Sequence, residues 1–88
     1  MSEIDLQEEL EKLRHEVDEI AAGDDQAREQ LDLLMSDIEK KIEVPSDADH
    51  HKNLLQSIKD AITRFESEHP RATGILNDIM ITLGNMGI

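Results

Sequence analysis

Leu6, Leu10, Leu13, Val17 and Ile20 recur at spacings of 4, 3, 4 and 3, with charged side chains on both flanks. This is the seam of an amphipathic helix, narrow enough for one neighbour to cover it. Ser2 followed by Asp5 has the form of a helix start, and Glu3, Glu8 and Glu9 suit the positive end of the dipole. Glu8 with Lys12 and Glu11 with His15 are supportive pairs one turn apart. The pattern predicts a first helix near residues 3–22. Gly23 suits the position after a helix end, and Asp24 or Asp25 caps the next helix.

A second, wider stripe runs through Ala27, Leu31, Leu34, Met35, Ile38 and Ile42, predicting a helix over 25–43. Lys40 and Lys41 stand in its last turns, where a cation is favoured, and Pro45 stops it. The short connection makes this helix return antiparallel to the first. Ser46, Asp47 or Asp49 can cap a third helix near 48–67, whose apolar face is Leu54, Leu55, Ile58, Ala61, Ile62 and Phe65. A residue before proline is pushed out of the α region, whereas proline itself fits a helix's first turn. Phe65, His69 and Pro70 therefore mark a structural corner at which a fourth helix, near 70–85, begins.

That fourth segment differs from the others. Between Ala72 and Ile88 there is one charged side chain, Asp78. Ile75, Leu76, Ile79, Met80, Leu83 and Met86 fall with Ala72 on one broad face, while Ile81 and Ile88 fall on the far side. Ile75, Leu76, Ile79, Met80, Ile81, Leu83 and Met86 are thus the expected core or interface, and the segment reads as the central helix of an all-α assembly. The chain is expected to form a single domain over 1–88, two antiparallel helical hairpins. They either close into a four-helix bundle or pair with a second copy.

Composition narrows the function more than it defines it. Eighty-eight residues lie near the lower end of what folds alone, so self-association that buries more surface is expected to help. The absence of cysteine excludes disulfides, thiolate metal sites and a cysteine nucleophile. No apolar run approaches the roughly 20 residues of a membrane span, and the N-terminus lacks a signal-peptide pattern, so a cytoplasmic protein is expected. The net charge is −12, of which −10 lies in residues 1–44 (15 acidic, 5 basic). Such a surface repels nucleic acid and anionic lipid, whereas a basic protein partner is permitted.

The corner Phe65-Glu66 with His69-Pro70 two residues on, the apolar positions Leu76, Ile79 and Leu83, and the ending Asn85-Met86-Gly87-Ile88 resemble those of a family of short bacterial proteins. That family is domain of unknown function family 4404. The acidic, leucine-rich first helix and the Leu34-Met35-Ser36-Asp37-Ile38 segment fit it as well. The resemblance implies a helical, stand-alone bacterial domain and supplies no catalytic residues. Ile81 and the Asp47–His51 stretch stand outside the shared pattern.

Candidate chemistry is sparse. Asp47, His50 and His51 are weak metal candidates: adjacent histidines on a helix project about 100° apart and do not chelate as a pair one turn apart would. Cap residues in solvent are the plainer expectation for them. His15 reads as surface, and the His69 imidazole is expected to bond a helix-end backbone group. Ser67, Glu68 and Asp78 lie near enough in sequence to His69 to be considered, but their spacing singles out no triad. Gly74, inside the fourth helix, suggests either close approach of another backbone or simple tolerance. No catalytic residue and no cofactor is assigned, and the chain is not expected to be an enzyme. The leading expectation is a non-catalytic homodimeric protein-interaction module. Its alternatives are an acidic nucleic-acid mimic that binds a basic protein, and a weak His/Asp metal-binding protein.

Overall fold

The computed structural model describes residues 2–20 and 24–86, with side chains from Ile4 onward. Four helices succeed one another: α1 (Ser2–Asp18), α2 (Asp25–Glu43), α3 (Ala48–Phe65) and α4 (Pro70–Met86). The fold is all-α. The Gly23 cap and the Gly87-Ile88 ending lie outside the described residues, as does any capping by the Ser2 side chain.

Each break has a local cause. After Asp18 the backbone tightens, with the amides of Glu19 and Ile20 bonding to the carbonyls three residues back, Glu16 and Val17, at 3.1 Å each. The α-helix therefore stops short of residue 22. Asp47 caps α3, its Oδ1 accepting the His50 amide at 3.0 Å. Backbone bonds tie the corner between α3 and α4 to both helices: the His69 amide reaches Phe65 O at 2.8 Å and the Thr73 amide reaches His69 O at 3.1 Å. Pro70 needs no such bond at the first helical position.

Each helix packs on its neighbour in the chain, and α1 closes the ring against α4. The diagonal pairs, α1 with α3 and α2 with α4, make no close backbone approach among the described residues. This is a closed four-helix bundle rather than two open hairpins. Its radius of gyration, 12.3 Å, matches the value of about 12 Å expected for a compact chain of this length.

The core takes one column from each helix: Leu6, Leu10, Leu13 and Val17; Leu31, Leu34 and Ile38; Leu54, Ile58 and Phe65; Leu76, Ile79 and Leu83. Burial of such side chains stabilises by about 1.5–3 kcal/mol each. Within one chain the last helix is not enclosed by the other three. α4 packs on α1 and α3, the two most extensive helix pairings of the bundle, and leaves Gly74, Asn77, Asp78, Ile81, Gly84 and Asn85 exposed. Its low charge does not follow from being surrounded.

Two core positions are not legible as such in the sequence. Lys41 is fully buried, because 34, 38 and 41 continue the 4, 3 spacing of the α2 column. Its Nζ donates to Pro45 O at 2.6 Å, closing the end of α2 over the adjoining turn. Ile42, expected in that column, is half-buried beside it. His51 is the second, buried at the start of the α3 column that continues through Leu54 and Ile58.

Candidate functional site

Of the expected core or interface residues of α4, Leu76, Ile79 and Leu83 are buried and Ile75, Met80 and Met86 are half-buried against the core. Ile81 is 54 % exposed and lies outside it. The outward side of α4 therefore carries Arg71, Gly74, Asp78, Ile81 and Asn85 at spacings of 3, 4, 3 and 4, all exposed. A Cβ added at Gly74 or Gly84 meets nothing within 4 Å, so neither glycine is required by the packing of this chain. The other helices turn chains of charge outward. Asp5, Glu8, Glu11, Lys12 and Asp18 do so on α1, and Asp25, Glu29, Asp32, Glu39 and Lys40 on α2.

The candidate metal residues of the α2–α3 turn do not converge. Asp47 is engaged as a cap. The half-buried His50 turns back to α2 and donates its Nε2–H to Asp37 O at 2.8 Å, a bond between helices. His51, expected among solvated cap residues, is instead buried, and its Nδ1 has no hydrogen-bond partner among the described residues. Burial lowers the proton affinity of His51, and the neighbouring positive charge of Lys41 and then His50 lower it further. Lys41 itself is pushed down by burial, with Asp47 opposing. These groups form a polar plug in the end of the bundle, not a ligand set.

At the opposite end of the hairpins the structure brings together residues that no local spacing links. His69, at the corner, donates Nε2–H to Oδ2 of Asp24, 45 positions earlier, at 2.5 Å. The expected backbone partner is thus replaced by a carboxylate. Phe65 meets the ring edge-on, with centroids 6.1 Å apart and planes at 61°. Asp24 stands at the N-cap of α2 but makes no side-chain capping bond. Glu68 joins them, and the ligand atoms of Asp24, Glu68 and His69 all lie within 4.8 Å of one another. Among the described residues no other three His, Asp or Glu side chains do so. A cleft of about 350 Å³ opens beside them, lined by Glu16, Glu19, Glu68, His69 and Arg71 among others. Ser67 and Asp78, the remaining candidates for chemistry at the corner, are exposed, and His69 is turned to Asp24 rather than to Ser67.

His15 is exposed, with Nε2 3.4 Å from Glu19 one turn later rather than facing Glu11. No helix among the described residues is long and apolar enough to cross a membrane.

No curated protein and no solved structure matches the chain. The family described as Domain of unknown function (DUF4404) matches it over residues 6–88, which takes in all four core columns, the corner at His69-Pro70 and the whole of α4. The chain belongs to that family.

Proposed function

We propose that this protein is a non-catalytic interaction module that self-associates through the outward side of α4. The observation that carries the reading is an exposed helix side whose two charges, Arg71 and Asp78, cancel and which presents Ile81 to solvent, in a chain of net charge −12. Two copies of so acidic a molecule repel wherever α1 or α2 would face its counterpart. The side of α4 holds one acid, Asp78, and one base, Arg71, a full seven residues apart and hence on one line.

That spacing suits a twofold contact. In an antiparallel pairing of two α4 helices, Arg71 of one copy can face Asp78 of the other, and the reverse. The symmetry axis then passes midway between residues 71 and 78, beside Gly74. A glycine there lets the two backbones approach closely, which answers why a residue costing about 1 kcal/mol relative to alanine stands in the helix. With the axis there, Ile81 of one copy faces residue 68 of the other, at the corner just before its α4.

Sedimentation equilibrium over a concentration series tests the proposal. The wild-type chain should reach twice its 10.0 kDa mass. Arg71→Asp or Asp78→Arg alone should shift the association to higher concentration, and the double exchange should restore it. A wild-type chain that stays monomeric throughout, or single exchanges without effect, would remove the proposal.

A further inference from the structure

We propose that Asp24, Glu68 and His69 bind a divalent cation of the zinc class, which fastens the start of α2 to the corner between α3 and α4. The inference does not rest on self-association.

Three features carry it. First, the ligand atoms already lie within 4.8 Å of one another, and ligands at about 2.0–2.2 Å from a tetrahedral ion sit roughly 3.3 Å apart. Closing the site needs rotation of Glu68, which is exposed, and a small withdrawal of Asp24 from the imidazole. Second, the imidazole is held in place before any ion arrives. Its ring packs edge-on against Phe65, its backbone precedes Pro70, and only 18 % of its side chain is exposed. Third, Asp24 occupies a capping position and does not cap. Its carboxylate is directed across the molecule to His69 instead.

The surrounding charge favours a cation. Neither Asp24 nor Glu68 has a lysine or arginine within ion-pair distance among the described residues. Glu16 and Glu19 line the adjoining cleft, where Arg71 is the one basic side chain. A hydrogen bond between His69 and Asp24 explains that pair, but leaves Glu68 beside two other carboxylate-bearing elements without a neutralising partner. With its proton on Nδ1, the imidazole offers the Nε2 lone pair to an ion, which takes two carboxylates beside it and completes its shell with water. One imidazole with two carboxylates suits zinc or manganese better than the soft, thiolate-seeking ions.

The test is calorimetric titration of zinc chloride into tag-free protein previously dialysed against a chelator. One ion per chain should bind, and the melting temperature should rise with it. His69→Gln, Asp24→Asn and Glu68→Gln should each weaken binding by about ten-fold or more, whereas the exposed His15→Gln should leave it unchanged. Absence of saturable binding would overturn the proposal, as would binding that survives His69→Gln and Glu68→Gln. If His69→Gln fails to fold, Glu68→Gln decides alone, since that side chain is in solvent and supports no packing.

Discussion

The hydroxyl of Thr82 on α4 donates to Oε1 of Glu9 on α1 at 2.6 Å, joining the two helices that close the bundle. Glu9 is half-buried there. Burial raises its pKa; the bond from Thr82 works the other way, and Asp78 and Asp5 add repulsion that raises it again. Its folded pKa thus stands above the ordinary 4.5, so the folded state holds the extra proton. The ionised group costs stability at neutral pH, and the cost is relieved as pH falls through the folded pKa. Glu9→Gln should keep the acceptor and raise the melting temperature at pH 7, while Thr82→Val should cost about 1 kcal/mol in urea denaturation.

His51 runs in the opposite sense. Its folded pKa lies below the ordinary 6.5, so below that pH the unfolded chain takes up the proton more readily. Stability is complete above 6.5 and declines as pH drops through that value towards the folded pKa. His51→Leu should flatten the pH dependence of unfolding in this window, measured by the helical circular dichroism signal. An unchanged slope in the variant would assign the acid sensitivity elsewhere.

Lys41 offers a test of its burial. Lys41→Met keeps the volume and removes an ammonium that the fold holds out of water; the change in unfolding free energy should be under about 1.5 kcal/mol. Lys41→Ala empties part of the column beneath Ile38 and should cost about 2–4 kcal/mol. An exposed lysine would show neither the loss nor the contrast.

Gly74→Ala should stabilise the dissociated chain by about 0.5–1 kcal/mol, because the added methyl meets nothing and the unfolded chain loses freedom. Chemical denaturation at high dilution measures this without the contribution of a second copy.

Much of this fold is written in local pattern. The heptad-like columns of α1 and α3, the stop at Pro45 and the corner at His69-Pro70 depend on residues within a turn or two of one another, and periodicity captures such relations. Lys41 and His51 escape it because their residue type contradicts their position. Both continue their columns at the right interval, but a charge and an imidazole read as surface, and only the carbonyl of Pro45, supplied by the following turn, satisfies the buried Lys41. The candidate site escapes for a different reason. Asp24 and His69 meet only because the hairpins close into a bundle, and no spacing along the chain encodes a contact across 45 residues. The outward side of α4 is legible as low in charge but not as exposed, since apolar residues around a helix argue for burial whether by the same chain or by another.

The lack of any cysteine in the chain makes a direct test of the self-association geometry available. Gly74→Cys places one thiol beside the proposed symmetry axis, where Cα atoms of two copies come within the roughly 5.5–6 Å a disulfide spans. Ser57→Cys places one on the exposed side of α3. Under mild oxidation the first variant should become a covalent dimer rapidly and the second slowly. Equal rates of cross-linking for the two would contradict the pairing of α4 with α4.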